Sequence, residues 1–211
     1  MKHPFHYSGE KSLLQKMIDF ALPLFLFWLF FQFYNFGRIS PSEMVKTSGL
    51  LAITLLGITL IIGPLSRIFP QLEFLKAHRK FWGILSVVIV FIHIGLVFVY
   101  FYKFDITRFV AFSNPKYPGI LSGILATLIL LLVTFTSNKK AIQYFSPKVW
   151  KLIQTTSYLA MFLAVLHFYL MEQVNGVLVI KRLLGQITFG FSVTVILARI
   201  IIMILSQKDK S

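Results

Sequence analysis

Two histidines, His93 and His167, stand inside long apolar stretches of the sequence, in Val-Phe-Ile-His-Ile-Gly-Leu and Ala-Val-Leu-His-Phe-Tyr-Leu. Neither flank offers a carboxylate that could pair with an imidazolium, so we expect both imidazoles to be neutral. A neutral imidazole is the form that coordinates a metal ion. The two residues therefore predict either a pair of metal ligands or, as the more common role of a single buried histidine, hydrogen bonds between helices.

The composition excludes a water-soluble fold. Of the 211 residues, 57% are hydrophobic and only 13% are charged, which is far from the composition of a soluble domain. Because the chain contains no cysteine, disulfides, iron–sulfur clusters, thiolate zinc and covalently attached haem are excluded, and any redox chemistry must use a bound cofactor. The formal charge of +14 lies in short segments between apolar runs, which indicates membrane topology and not a nucleic-acid surface.

Six apolar runs are long enough to cross a bilayer, whose core of about 30 Å needs roughly 20 helical residues. We predict an all-α bundle of six transmembrane helices that forms a single domain over residues 1–211, with a polar tail over residues 1–16. Ser-Pro pairs before the second and fifth spans are typical of helix N-termini. The predicted spans are residues 17–36, 49–68, 81–102, 120–135, 147–171 and 183–205.

The basic residues predict the orientation of the bundle, because Lys and Arg are retained on the cytoplasmic side. Thirteen of the 21 fall on the side of the N-terminus and seven on the other side, with Arg199 inside the last span. We therefore expect both termini to be cytoplasmic. No loop has room for a folded nucleotide-binding domain, and no phosphate-binding glycine motif is present, so any electrons must arrive from a separate partner.

The five histidines differ in predicted depth. His3 and His6 lie in the polar tail, and His78 lies in a basic loop before the third span, where we expect contact with solvent. A helix rise of about 1.5 Å per residue places both His93 and His167 in the outer half of the membrane, on different helices. Two neutral imidazoles in this arrangement can be the axial ligands of one b-type haem. Interhelical hydrogen bonds remain the alternative.

Two further features have a structural and a functional interpretation. Arg199 lies toward the inner end of the last span, so its side chain can reach the cytoplasmic headgroups or contact a carboxylate of a cofactor. The pair Gly119-x-x-x-Gly123 allows the close approach of a porphyrin or of a neighbouring helix. Helix packing is the more common reason for such a pair.

Three longer stretches are SGLLAITLLGITLIIGPLSR in the second span, HRKFWGILSVVIVFIH in the third, and FTSNKKAIQYFSPKVWKLIQTTSYLAMFLAVLH leading through the fifth. Together they resemble the ferric-reductase-like transmembrane domain superfamily and, within it, the MsrQ (YedZ) family of haem-binding membrane subunits. The resemblance covers nearly the whole chain. It implies a six-helix bundle in a bacterial inner membrane that binds b-type haem, with His93 and His167 at the ligand positions of the family.

The resemblance also implies a role in electron transfer. Electrons would come from a cytoplasmic flavin reductase or from membrane quinol, with FMN or a quinone bound on that side. They would pass to a periplasmic molybdenum-containing methionine-sulfoxide reductase that repairs oxidised proteins, so this chain would carry no substrate chemistry of its own. Two other functions stay open: a standalone haem-containing ferric or quinone reductase, and a non-redox membrane transporter or assembly factor.

The sequence departs from the family pattern at Gln154, where MsrQ-like chains carry a further histidine thirteen residues before the last one. Glutamine is a poor haem ligand, so we expect one haem and not two. His78 could replace the missing ligand, although its place beside Arg79 argues against that role. The resemblance places Arg79, which stands before Phe81-Trp82-Gly83, at the arginine of the family's entry to the third span, where a cation could meet the anionic group of a cofactor. Retention of positive charge explains Arg79 equally well.

Overall fold

The structure, a computed structural model, describes residues 12–208 of the chain. His3 and His6, together with the rest of the predicted polar tail up to residue 11, lie outside the described residues. Within this part of the chain, six segments are long and apolar enough to cross a membrane. The predicted all-α bundle of six spans is therefore confirmed.

The spans are joined by short helices, loops and one hairpin. In chain order the elements are α1 (Leu13–Leu29, continued by a π-helix over Phe30–Tyr34), α2 (Pro41–Ile68), a 3₁₀ helix (Pro70–Ala77), α3 (Arg79–Tyr100), α4 (Ile106–Phe109), α5 (Tyr117–Phe135), α6 (Lys139–Tyr144), α7 (Pro147–Thr155), α8 (Ser157–Met171), the antiparallel hairpin of β1 (Gln173–Val174) and β2 (Val177–Leu178), and α9 (Leu183–Lys208). Together α7 and α8 form the fifth span.

Polar residues that cap the helices account for the main differences from the predicted bounds. The first span starts earlier than predicted because Ser12 and Gln15 form a capping box, in which each side chain accepts a hydrogen bond from the backbone N–H of the other. The second span starts at its predicted cap, Ser40, well before the apolar run itself. Ser146 caps the fifth span as predicted. The other bounds lie within three residues of the prediction.

The two ends of the bundle carry different polar residues, and we name them after these. The histidine end contains the loops over residues 35–40, 101–116 and 172–182. The arginine end contains the segments over residues 69–78 and 136–146, together with the first residues of α1. Which end faces the cytoplasm remains a prediction from the distribution of Lys and Arg.

Helix α2 lies at the centre of the bundle and packs against α3, α8 and α9, while α5 packs against α8. Apolar burial alone does not drive helix association in lipid, so close packing and hydrogen bonds hold such bundles together. One buried cluster around Trp82 joins α1, α2 and α3, and a second around Met161 joins α2, α5, α8 and α9. At Gly57 the approach is so close that a Cβ would lie 2.6 Å from Phe191 Cε1.

A proline in α1 leaves available a backbone carbonyl that accepts a hydrogen bond from α3. Because Pro23 has no N–H, the carbonyl of Asp19, four residues earlier, cannot form its usual helical hydrogen bond. The indole Nε1–H of Trp82 donates to this carbonyl oxygen at 3.0 Å. The backbone group that the proline leaves unpaired is thereby satisfied within the protein, as the interior of a membrane requires.

The prediction that His78 is solvated was wrong. Its side chain is only 1% exposed, its Nδ1 lies 2.8 Å from Asp19 Oδ1, and its ring stacks on Trp82 with ring centres 5.2 Å apart. The basic neighbours in the sequence concealed this burial, because the carboxylate partner comes from α1. Asp19 is itself buried inside the first predicted span, so this span carries an acid at depth that the prediction did not assign to any role.

We expect the side-chain contact between Asp19 and His78 to stabilise the packing of α1 on α3. In Asp19→Leu, His78 Nδ1 loses its partner in a buried site, which costs about 1 to 3 kcal/mol of unfolding free energy. Asp19→Asn keeps an oxygen acceptor at the same place and should lose less. Unfolding of the detergent-solubilised protein measures both variants, and an Asp19→Leu variant as stable as the wild type would contradict the assignment.

Candidate functional site

The structure brings His93 and His167 together at the histidine end of the bundle. His93 lies in the second half of α3 and His167 near the end of α8. Their ring centres are 6.2 Å apart, and the ring planes are nearly perpendicular, at 88°. Both side chains are partly buried, so the pair lies within the bundle but keeps some exposed surface.

Each imidazole donates a hydrogen bond to a backbone carbonyl of a neighbouring helix. His93 Nδ1 lies 2.9 Å from the carbonyl oxygen of Val45 in α2, with Ser48 Oγ at 3.3 Å from the same nitrogen. His167 Nδ1 lies 2.8 Å from the carbonyl oxygen of Gly119 in α5. A carbonyl can only accept, so both rings carry their proton on Nδ1. The predicted interhelical hydrogen bonds are therefore present, and they leave the lone pair on Nε2.

The Nε2 atoms have a different environment from the Nδ1 atoms. Among the described residues, neither Nε2 of His93 nor that of His167 has a hydrogen-bond partner. A histidine that ligates a metal typically donates its other ring N–H to a carbonyl or carboxylate, which fixes the tautomer and the ring orientation. Both histidines show this arrangement on their Nδ1 side.

Two glycines make room for the imidazoles. A Cβ on Gly49 of α2 would lie 3.1 Å from Cε1 of His93, and a Cβ on Gly123 of α5 would lie 2.8 Å from Nδ1 of His167. At Gly119, a Cβ would lie 3.0 Å from Sδ of Met171, so the Gly119-x-x-x-Gly123 pair is where α5 approaches α8. Helix packing explains this pair, and the same close approach holds the His167 ring in place.

The residues present fit a haem better than a metal ion bound by protein ligands alone. Two imidazoles on opposite sides of one metal have ring centres roughly 6.3 Å apart, since each metal–nitrogen bond is about 2.0 to 2.1 Å long. The observed separation of 6.2 Å agrees with this value. In the part of the chain that the structure describes, no group of three or more His, Cys, Asp or Glu could hold a metal ion. A porphyrin supplies four nitrogen ligands, so two axial histidines are sufficient.

Gln154 lies at the arginine end and is fully engaged with the end of α5. Its Nε2 donates to the carbonyl of Val133 at 3.2 Å and to Thr136 Oγ1 at 3.1 Å, while its Oε1 accepts from Ser137 at 3.2 Å. These contacts give the amide a structural role at the join between α5 and α7. They do not bring Gln154 to the histidine pair.

Three arginines lie around Tyr158 at the arginine end, and we call Arg67, Arg79 and Arg199 the arginine cluster. All three interact electrostatically with Tyr158 of α8. Arg79 Nε donates to the carbonyl of Thr59 at 2.8 Å, and the guanidinium of Arg199 lies over the Tyr158 ring at 5.0 Å. Within residues 12–208, no carboxylate pairs with any of the three.

Ion pairs at the histidine end connect the loops to the helices that bear the site. Arg182 donates to Glu43 Oε1 at 3.0 Å and to the carbonyl of Tyr34, and its guanidinium lies over the Tyr34 ring. Lys46, next to the acceptor carbonyl of Val45, pairs with Glu172 at the end of α8, at 3.0 Å. The start of α2 is therefore held against the segments that follow α8.

Fold and site together define a multi-pass membrane protein with a paired-histidine site near one end of the bundle. The family model described as ferric reductase like transmembrane component matches residues 48–165, more than half of the chain. The chain belongs to this family. The matched region contains His93 and ends two residues before His167.

A more specific similarity agrees with this family. The chain is 27% identical over 147 residues to the protein-methionine-sulfoxide reductase heme-binding subunit MsrQ of Polaromonas naphthalenivorans (strain CJ2). The match covers 69% of this chain and 66% of that protein, so the chain spans just under two thirds of the relative's length. The predicted resemblance to MsrQ-like members of the ferric-reductase-like superfamily is confirmed.

The close contact at Gly123 yields a prediction that needs no cofactor. Gly123→Ala places a methyl group against His167 and should lower the unfolding free energy by about 1 to 3 kcal/mol, as overpacking does. Gly95→Ala in α3 is the matched control, because a Cβ there meets nothing within 4 Å. Thermal unfolding in detergent compares the two; equal stability of both variants would contradict the close packing of α5 on His167.

Proposed function

We propose that this protein is a haem-binding membrane subunit that transfers electrons across the bilayer, with His93 and His167 as the axial ligands of one b-type haem. The observation that carries the proposal is the histidine pair, with ring centres 6.2 Å apart and each Nδ1 donating to a backbone carbonyl. A haem bound there supplies one-electron chemistry through ferric and ferrous iron. The relative from Polaromonas naphthalenivorans, named as a heme-binding subunit, supports the binding of haem.

The residues around the histidines prepare the pair for this role. The carbonyls of Val45 and Gly119 hold the proton on Nδ1, so each imidazole presents an unprotonated Nε2 without further rearrangement. The hydrogen bonds also make the imidazoles more electron-rich, which favours binding of ferric iron. Gly49 and Gly123 keep the space beside the rings open for these orientations.

The histidine end is the proposed exit for electrons. If the excess of Lys and Arg marks the cytoplasmic side, the histidine end faces the periplasm of a bacterial inner membrane. We propose that the acceptor there is a periplasmic molybdenum-containing methionine-sulfoxide reductase, the partner that the resemblance to MsrQ implies. The name of the Polaromonas relative, a subunit of a protein-methionine-sulfoxide reductase, supports this choice. A standalone reductase of iron or quinone would use the same site with a small acceptor.

The arginine cluster is the proposed contact for the electron donor. Arg67, Arg79 and Arg199 bring three positive charges to one end of the bundle, and none of them pairs with a carboxylate of the described residues, so the cluster can attract an anionic ligand. This charge suits the phosphate of FMN delivered by a cytoplasmic flavin reductase, whereas membrane quinol would not require it. The donor therefore enters at the opposite end from the histidine pair.

The first test is the absorption spectrum of detergent-purified protein before and after dithionite. We expect a Soret band that shifts on reduction and a ratio of haem to protein near one. His93→Ala and His167→Ala should each lose the six-coordinate spectrum, because each removes one axial ligand. Gln154→Ala is the control, and its spectrum should match the wild type because, among the described residues, the Gln154 amide bonds to Val133, Thr136 and Ser137 at the end of α5 and not to the histidine pair.

Three outcomes would contradict the proposal. Colourless wild-type protein after expression with added haem would favour a transporter or assembly factor, in which the histidines only pack helices. A haem-to-protein ratio of two would show that the arginine end also binds haem. Retention of the wild-type spectrum in both histidine variants would place the ligands elsewhere.

The role of the arginine cluster is tested by the rate of haem reduction. In Arg79→Gln, reduction by reduced FMN should slow by about tenfold, as expected for loss of one charged contact worth roughly 1.5 kcal/mol. Reduction by dithionite, which tests the haem itself, should be unchanged. Lys76→Gln is the control, since Lys76 is exposed and pairs with Glu73. Equal rates for Arg79→Gln and wild type with reduced FMN would remove the proposed contact.

A further inference from the structure

The side chain of Lys116 reaches from the start of α5 to the end of α8. Its Nζ lies 3.1 Å from the carbonyl oxygen of Leu170, 3.0 Å from that of Met171 and 2.9 Å from that of Gln173. Lys116 itself is the N-cap residue of α5. One partly buried ammonium group therefore connects the two helices.

Two of these hydrogen bonds satisfy the last carbonyls of α8, Leu170 and Met171, and the third satisfies Gln173 in β1. The last carbonyls of a helix have no partner within the helix, and a cation is favoured there by the helix dipole. An ammonium group has three N–H donors, and Lys116 uses all three on backbone carbonyls. The side chain is consequently not available to bind an anionic ligand, and its role lies in the geometry of α5 and α8.

That geometry determines the environment of His167. Gly119, which accepts the Nδ1–H of His167, follows Lys116 by three residues in the first turn of α5. His167 precedes Leu170 by three residues in the last turns of α8. Lys116 therefore binds the helix that carries the imidazole to the helix that carries its acceptor, one turn away from the hydrogen bond itself.

We infer that Lys116 is a positioning residue for His167: it holds the end of α8 against the start of α5 so that the Gly119 carbonyl orients the imidazole toward its ligand position. The inference rests on the proposed function, because the imidazole needs this orientation only if it binds a metal. Lys116 touches neither the imidazole nor the reacting atoms, so it acts through Gly119. If this contact is lost, the imidazole of His167 is still present, but its ring is no longer held in the orientation that a metal ligand needs.

The ion pair at the same helix end is a weaker connection than the hydrogen bonds of Lys116. Lys46 of α2 pairs with Glu172, directly after α8, but the Lys46 side chain is 47% exposed. Exposed pairs of this kind contribute little, because water and salt screen them. The three hydrogen bonds from Lys116 to backbone carbonyls are partly buried, so they contribute more than the ion pair to the position of the end of α8.

The test uses full-length, haem-loaded protein in detergent, with Lys116→Met as the main variant. Methionine keeps most of the side-chain volume and removes all three donors. We expect the ferric absorption spectrum to gain a high-spin component, since His167 no longer coordinates in every molecule. Haem transfer to apomyoglobin should become about tenfold faster, the lower end of the effect seen for residues that support metal ligands.

Two further variants separate positioning from charge and from general stability. Lys116→Arg retains several donors, and a cavity of about 280 Å³ beside Lys116 and Gly119 offers room for the larger group, so its spectrum should stay close to that of the wild type. Arg108→Gln removes an exposed charge on the same loop, which pairs with Asp105, and should leave the spectrum and the transfer rate unchanged.

The outcomes distinguish this inference from the proposed function. If wild-type protein binds low-spin haem and Lys116→Met keeps the wild-type ferric spectrum, the inference is overturned, whatever the stability of the variant, while the haem assignment stands. If wild-type protein binds no haem, the proposed function itself fails. Should Lys116→Met not fold, Lys116→Gln, which keeps a single amide donor group, takes its place with the same expected high-spin component and the same overturning result.

Discussion

A polar group inside a bilayer has to find its hydrogen-bond partner within the protein, because hydrocarbon offers none. This constraint explains why the polar residues of this bundle occur in interhelical contacts. The carbonyls of Val45 and Gly119 accept hydrogen bonds from the Nδ1–H groups of the two site histidines. The carbonyl of Asp19, which Pro23 leaves without its helical partner, accepts a hydrogen bond from the indole N–H of Trp82. The histidine site depends on the same requirement, since the hydrogen bond from Nδ1–H is what leaves the lone pair on Nε2.

The constraint also separates the bundle into two ends with different chemistry. At the histidine end, lysines bind the end of α8 and hold the helices that contact the imidazoles. At the arginine end, Gln154 is occupied by the carbonyls and hydroxyls at the end of α5, while the arginine cluster has no carboxylate partner in the described part of the chain. Under the proposed function, the histidine end would hold the haem and the arginine end would meet the electron donor.

The sequence was sufficient to predict the number of spans, because their length and hydropathy follow from the thickness of the bilayer. It also singled out His93 and His167, since imidazoles within apolar runs are costly. It did not predict the contact between Asp19 and His78, because the two residues are far apart in sequence and His78 stands beside basic residues; an acid within the first apolar run was the signal. The acceptors of the imidazole protons are backbone carbonyls, which no residue type identifies.

The most direct test of the central claim is the electron paramagnetic resonance spectrum of the ferric wild-type protein at low temperature. Imidazole planes at 88° predict a low-spin signal with the strong anisotropy of two nearly perpendicular axial imidazoles. A purely high-spin signal would contradict ligation by both His93 and His167. A rhombic low-spin signal of parallel imidazoles would contradict the observed orientation of the pair, and with it the roles of Val45 and Gly119 as the acceptors that fix it.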